Sequence, residues 1–372
     1  MNNKRILIFY MSPKSGHYTA ARAMKACFYQ MYPQTDVMDV NFLNYTNPVI
    51  ERILFRSYMR VIKSAPTIWD YMYDNQKLMD RMAWMQEFSR MLHKSKLRSL
   101  IRDFKPDAIL NTQCFPCGVL SVFKEQGDFL NIPNIAIITD YVVNNYWIYD
   151  HVDQYIVPAE SMIEKLLSKN VPKERIKNYG IPVHMKFRST HDRSVLMHKF
   201  NLDQDKKTLL VMGGNYGFGN IKKLVVKLSY LKEDFQMVVI TGHNEKLFKK
   251  LNKIYTKLQK TLRVLEYVNN VDELMEIADV ILTKPGGITT AECLVKRLPM
   301  VIINPIPGQE TRNCEYLVSK NVAEKALNEL HAVEIVRKLF ANPHELERMK
   351  KNTDQIRRPS AAMNIVEMVM DH

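Results

Sequence analysis

The segment Lys284-Pro285-Gly286-Gly287-Ile288-Thr289-Thr290-Ala291-Glu292 has the residue types, in order, to hold an anion and a diol side by side. It follows the apolar run DVILTK and leads into the helix-forming stretch ITTAECLVKR. Two glycines let a backbone approach a ligand closely, and the free amides and dipole at a helix start favour a diphosphate. Thr289 and Thr290 add hydroxyls. Glu292, about one helical turn inward, is placed to accept from two neighbouring hydroxyls, as an acidic residue does for ribose in dinucleotide-binding folds. A Gly-Gly turn alone fits an ordinary strand-to-helix turn equally well. The next apolar run, MVIINP, shifts that balance because it passes into IPGQETRN. There Gln309, Glu310 and Asn313 supply the amides and carboxylate that a hydroxyl-rich ligand needs.

A second group lies near the N-terminus. In MSPKSGHYTAARAM, the run Ser15-Gly16-His17 opens a helix directly after the first strand-length run, RILIFYM. Histidine titrates near neutrality and a helix start lowers its pKa, so a neutral His17 is a candidate proton acceptor. Asp140, at the end of NIAIITD, is the other candidate, either orienting His17 or acting as the base. The five cysteines are odd in number and scattered, which argues against a disulfide framework. Cys114 and Cys117 form a C-x-x-C without the further ligands that a zinc site requires. With no D-x-D cluster in a suitable loop, neither a metal nor another cofactor is expected.

Two series of strand-length apolar runs must position these groups. The first comprises residues 5–11, DVMDV at 36–40, and runs at 107–112, 134–140 and 154–158. The second comprises residues 207–214, 235–242, 262–268, 279–287 and 300–305. Short runs of near-continuous Val, Ile and Leu suit strands buried on both faces, and the helix-length spacers supply right-handed crossovers. Each series predicts a doubly wound α/β domain, with ligands at the carboxyl ends of the strands and the active site in the cleft between the domains. The polar stretch 183–206 marks the boundary. The expected domains are 1–185, an acceptor and membrane domain, and 186–350, a nucleotide-sugar domain. Residues 351–372 are read as a C-terminal helix that has the option of returning to the first domain.

The formal charge is +14, from 53 Lys and Arg against 39 Asp and Glu, so the partner should be negative. Residues 47–105 exceed a minimal βαβ unit. Within them Arg52, Arg56 and Arg60 recur four apart beside an apolar stripe, making a basic amphipathic helix, and Trp69 and Trp84 follow. That pattern fits contact with an anionic membrane surface, and it fits packing on the protein's own sheet just as well. No recognised nucleic-acid motif occurs, and the insertion's aromatics share stripes with Met and Leu, so nucleic acid is not an expected partner. Without an 18-residue apolar run or a signal-peptide pattern, the expected place is the cytoplasm, peripheral on the inner face of the cell membrane.

KPGGITTAE followed by PIPGQETRN resembles the donor signature of the bacterial processive diacylglycerol glucosyltransferases and plant monogalactosyldiacylglycerol synthases, family 28 glycosyltransferases of GT-B fold. The resemblance implies two Rossmann-like domains and an inverting, metal-independent transfer of glucose or galactose from a UDP-sugar to diacylglycerol, once or repeatedly. It places Gly286 and Gly287 on the diphosphate, Glu292 on the ribose, and Gln309, Glu310 and Asn313 on the hexose. The backbone at Tyr267 and Val268 would meet the uracil, and Gly213 and Gly214 would belong to the glycine-rich loop. Relatives carry a histidine four residues after the aspartate and a tryptophan three beyond. Here those positions are Asn144 and Trp147, leaving Trp147 with Ser15 and Gly16 as acceptor-side candidates. The competing readings are a GT-B enzyme acting on a soluble or polyprenyl acceptor, and a UDP-sugar epimerase.

Overall fold

The computed structural model describes residues 3–13, 15–49, 51–53, 95–213, 220–255 and 258–371. Gly214, Arg56, Arg60, Trp69 and Trp84 lie outside the described residues. Arg52 is described and exposed. The chain divides into two compact units, one of Met1–Met185, Ile306–Gln309 and Arg358–His372, the other of Lys186–Pro305 and Glu310–Arg357.

In the first unit six parallel strands stand in the order β2-β1-β3-β4-β5-β6. They are β1 (Arg5–Tyr10), β2 (Asp36–Asn41), β3 (Ala108–Asn111), β4 (Asn134–Ile137), β5 (Gln154–Ile156) and β6 (Ile176–Lys177). β1 shows why apolar runs make such strands. Ile6, Ile8 and Tyr10 join one buried layer, together with Met24 and Phe28 of the helix Gly16–Met31 and with Ile365, Val366 and Val369 of the last helix, Ala361–Asp371. Leu7 and Phe9 point the other way, onto Phe42, Val119 and Phe123 and onto Leu97, Ile101 and Phe104 of the helical residues 95–104. Every side chain from Ile6 to Tyr10 is therefore consumed by packing, whichever face it takes.

The second unit repeats the plan in the order β12-β11-β10-β7-β8-β9. Its strands are β7 (Lys207–Met212), β8 (Phe235–Ile240), β9 (Leu262–Leu265), β10 (Val280–Thr283), β11 (Met300–Ile303) and β12 (Ala323–Ala326). In each sheet the chain starts in the middle, winds outward one way and then reverses. The reversal lies between β1 and β3 in the first unit and between β7 and β10 in the second. Crevices at such switch points, beyond the carboxyl ends of the strands, are where open α/β sheets bind ligands.

Sequence patterning did not anticipate β6 and β12, because a two-residue strand and the mixed run AEKA carry no continuous apolar signal. The polar stretch 183–206 contains more order than a linker. It includes a 3-10 turn, Met185–Arg188, and the helix Arg193–Lys199, whose start is capped by Asp192 accepting from the Ser194 amide at 2.7 Å. The chain passes back to the first unit at Arg358, and Ile306–Gln309 groups with that unit too.

The return of the chain depends on Gly180. Its φ is +101°, and a Cβ there would meet Cβ of Arg358 at 2.4 Å and Cβ of Ala361 at 3.2 Å. Both the conformation and the space therefore demand glycine. Gly180→Ala is expected to lower the unfolding free energy by about 2 kcal/mol or more, from left-handed strain plus overpacking. Denaturant titration of the variant checks this, and an unchanged midpoint would show that the last helix docks independently of that contact.

Candidate functional site

At the switch point of the first unit, Ser15 is the N-cap of the helix Gly16–Met31. Its hydroxyl accepts from the Tyr18 amide at 3.3 Å and lies within donating distance of the carbonyls of Met11 (2.6 Å) and Ser12 (2.8 Å). Ser15 is thus committed to holding the turn, which leaves the exposed Gly16 backbone and the His17 side chain at the helix start.

Nδ1 of His17 lies 2.6 Å from the carbonyl oxygen of Thr112 and 3.2 Å from the Thr139 hydroxyl. A carbonyl only accepts, so Nδ1 carries the proton and the lone pair of the neutral ring belongs to Nε2. Thr112 also donates from its hydroxyl to the carbonyls of Phe9 (3.1 Å) and His17 (3.0 Å), locking the ends of β1 and β3 to the histidine. Burial pushes the imidazole pKa below its ordinary value, against the opposing pull of Asp140 and the Thr112 carbonyl. The group is therefore neutral at physiological pH with a free basic nitrogen. The fold supplies its orientation through Thr112 and Thr139, not through a hydrogen bond from Asp140. Asp140 instead accepts from the Gln309 amide at 3.2 Å, within the same unit.

Two further sequence candidates have structural roles. Trp147 is only 6% exposed and belongs to the interior. Asn144 caps the short turn Asn145–Trp147. Cys114 and Cys117 are free thiols pushed up by burial, Cys114 to about 12, which removes thiolate chemistry at neutral pH. Among the described residues no group of three or more His, Cys, Asp or Glu is arranged to hold a metal ion.

At the switch point of the second unit, Gly213 directly follows β7 and Lys284 directly follows β10. They line a cavity together with Asn220, Thr283, Asn304 and Glu329. Gly286 is the N-cap residue of the helix Gly287–Val295, with φ −67° and ψ 139°. A Cβ at Gly286 would meet nothing within 4 Å. Neither backbone conformation nor internal packing requires glycine here, so the residue's value lies in what approaches from outside. Of the two threonines, Thr290 is fully buried and turns its hydroxyl back onto the carbonyls of Gly286 (3.0 Å) and Gly287 (2.9 Å), whereas Thr289 is half-buried. Asn313 is fully buried as well, and its amide donates to the Pro285 carbonyl at 3.1 Å. It ties the helix Gln309–Ser319 to the Pro-Gly-Gly turn.

The Glu292 carboxyl makes no hydrogen bond among the described residues, and burial pushes it up to about 8. Lys186 lowers it and Asp272 raises it further. Lys186 is itself held by Asp272 at 3.0 Å and by the Asn269 carbonyl. A half-buried carboxyl with both oxygens uncommitted is suited to a pair of ligand hydroxyls. Lys284 carried no role in the sequence reading, yet burial depresses its pKa while Glu310, in the first turn of the adjacent helix, raises it. A partly desolvated ammonium directly before the Gly-Gly turn strengthens the anion site. Tyr267, 54% exposed, stacks on His243 with centroids 4.7 Å and planes 9° apart, and Val268 beside it is half-buried. The two rings follow the ends of the neighbouring strands β9 and β8. A separation of 24 residues hid that pair from sequence reading.

Solved structures share this arrangement of two doubly wound sheets. Acinetobacter baumannii MurG superposes with a TM-score of 0.67 at 14% identity, covering 99% of this chain and 100% of that one. WaaG, a glycosyltransferase involved in lipopolysaccharide biosynthesis, gives 0.55 at 11% identity, covering 98% and 99%. The UDP-GlcNAc 2-epimerase from Neisseria meningitidis, bound to UDP-GlcNAc, gives 0.62 at 16% identity, covering 99% and 100%. The fold is GT-B. The family model of monogalactosyldiacylglycerol (MGDG) synthase matches residues 17–183, and that of the glycosyltransferase family 28 C-terminal domain matches residues 208–365. The processive diacylglycerol beta-glucosyltransferase of Bacillus licheniformis is 30% identical over 355 residues, 94% of this chain and 90% of the relative. That of Bacillus cytotoxicus is 29% identical over 375 residues, 100% and 94%. This chain belongs to the processive diacylglycerol beta-glucosyltransferase family.

Glu292 generates an expectation with two opposite signs. A carboxyl raised to about 8 in the folded protein favours the native state below its unfolded value and loses that contribution as pH rises through 8. Glu292→Gln should therefore be at least as stable as the parent above pH 8. If ligand hydroxyls donate to the carboxylate, UDP-glucose binding should strengthen by up to about tenfold per pH unit below 8 and level off above it. The Gln variant should bind at least about tenfold more weakly at pH 8.5 and lose that pH dependence. Calorimetric titration at several pH values checks both. Parallel pH curves for the two proteins would remove Glu292 from the binding site.

Proposed function

We propose that this protein transfers a hexose from a UDP-sugar to the free hydroxyl of diacylglycerol with inversion, and that the glycolipid product can serve as acceptor again. The full-length relationship to processive diacylglycerol beta-glucosyltransferases, spanning both units, carries the reading. The two switch-point groups supply a chemistry for it. In the second unit the amides at Gly286 and Gly287 and the Lys284 ammonium face the diphosphate, Glu292 accepts from the ribose hydroxyls, and the Tyr267–Val268 backbone meets the uracil. Thr289 completes the diphosphate contacts, and Gln309 and Glu310 meet the transferred hexose, as the family resemblance implies. Gly213 and its sequence neighbour Gly214 correspond to the glycine-rich loop that the family resemblance implies for the donor.

In the first unit Nε2 of His17 takes the proton of the acceptor hydroxyl. As that oxygen bonds to the anomeric carbon, the bond from the carbon to the diphosphate oxygen breaks and UDP departs. Asp140 stabilises the imidazolium that forms, consistent with its charge favouring the protonated ring. The developing charge on UDP is met by the helix start and Lys284, which is the work a metal does in other transferases. The acceptor is a membrane lipid, so the chain works at an anionic membrane surface, peripheral on its cytoplasmic face. Arg52, with Arg56 and Arg60, belongs to the basic insertion proposed to touch it. Among the described residues no helix is long and apolar enough to cross a membrane.

Mass spectrometry after incubation with diacylglycerol and either UDP-glucose or UDP-galactose tests the reaction. Hexosyl-diacylglycerol, one hexose heavier than the acceptor and β-linked, is the expected product. A donor altered at C2 with no lipid product would instead mean epimerase chemistry. His17→Ala should lower kcat by about 10² to 10⁴ with donor affinity unchanged. Because burial holds the His17 pKa down, the acid limb of the kcat/KM profile should fall below pH 6.5. Full turnover in the alanine variant would remove His17 as the base.

A further inference from the structure

Half of the chain's excess positive charge lies in one short stretch of the second unit. Residues 221–260 hold ten lysines and no arginine against Glu233, Asp234 and Glu245, a net +7 of the whole-chain +14. The stretch contains the helices that follow β7 and β8, Ile221–Ser229 and Glu245–Asn252. Both strands are crossed in the same direction, so both helices lie on one face of the sheet. Leu224, Leu228, Leu247 and Leu251 bury into the same core layer beneath them. Helical spacing then turns the remaining residues outward: Lys222 and Lys223 on one helix, and Lys246, Lys249 and Lys250 on the other with Lys253 just beyond, all exposed.

These ammonium groups are not spent on the fold. Among the described residues the only ion pair they make is Lys249 with Glu245, at 3.8 Å, on a surface where such a pair contributes little. Other lysines of the same unit are neutralised, with Lys199 on Glu273, Lys206 on Asp234 and Lys296 on Glu276. An exposed tyrosine follows each helix, Tyr230 and Tyr255.

We propose that this lysine face of the second unit is a docking surface for an anionic lipid bilayer, in addition to any contact made by the basic insertion of the first. Flexible point charges without arginine suit a fluid field of headgroup phosphates better than a built site for one phosphate, where bidentate guanidinium contacts dominate. Tyrosine rings beside them have the amphipathic character that settles at headgroup depth. Two exposed tyrosines, with Phe248 half-buried and Phe235 buried, do not form the stacking platform of a single-stranded nucleic-acid binder.

The inference takes from the proposed reaction only that the acceptor is a membrane lipid. The test uses the full chain and co-sedimentation with phosphatidylcholine vesicles containing or lacking 30 mol% (about one lipid in three) phosphatidylglycerol, a fraction chosen to give a strong surface potential. The variant carries Lys222→Gln, Lys223→Gln, Lys246→Gln, Lys249→Gln, Lys250→Gln and Lys253→Gln. Binding to the anionic vesicles should fall about tenfold or more, while UDP-glucose affinity and turnover in detergent micelles stay within about twofold. A lighter variant, Lys249→Gln with Lys250→Gln and Lys253→Gln, should lose about threefold and guards against misfolding of the heavier one. Unchanged vesicle binding in the variants overturns the proposal. So does lysine-dependent binding of a single-stranded oligonucleotide with vesicle binding unaffected. Micelle turnover is read separately, so an inactive parent protein would contradict the proposed reaction and leave the docking result to stand on the vesicles.

Discussion

A parallel strand buried on both faces leaves little room for reacting groups along its length, because each side chain either packs or must find a polar partner inside, as Asn111 does on Asn134. In β1 that rule uses up Ile6 to Tyr10 and leaves only the chain beyond the strand end free for reacting groups. The same rule in β7 and β10 leaves Gly213 and Lys284. The winding order then decides which ends adjoin: β1 beside β3 and β7 beside β10. His17 meets Thr112 and Lys284 lies in the same cavity wall as Gly213 for that reason, although 95 and 71 residues separate the partners in sequence. Elements far from chemistry serve the same rule. The last helix and the helical residues 95–104 close the two faces of the first sheet, and Asn313 braces the turn of the second.

Electrostatics at these ends follows from partial burial. Three groups near them depart from their usual titration in the direction that burial dictates: His17 down, Lys284 down and Glu292 up. Each becomes easier to hold neutral before substrate arrives, and each has a charged form that a bound substrate can stabilise. The same burial raises the thiols of the C-x-x-C, which keeps them neutral and inert.

The strand runs, the two-sheet plan and the start of the donor helix were legible because they depend on local composition: apolar runs, a Gly-Gly break and a helix-forming stretch. What was not legible depends on side-chain direction and distant partners. Thr290 and Asn313 have the right chemistry at the right spacing, yet the helix turns one onto its own backbone and the other onto Pro285. Trp147 reads as an acceptor contact until its burial is known. The tautomer of His17 depends on the Thr112 carbonyl just beyond another strand, and the His243–Tyr267 stack on two adjacent strand ends. The basic character is visible in the sequence as a total of +14. Its concentration on one outward face required knowing that both helices cover the same side of the second sheet.

The proposed transfer requires the donor to be held at the start of the helix Gly287–Val295. Amide hydrogen exchange in the presence and absence of UDP measures that directly, because a bound diphosphate must occupy the free amides of the turn. Protection concentrated at residues 284–292, with a smaller effect at 309–313, is the predicted result. Saturating UDP that leaves these amides exchanging as in the free protein would contradict it.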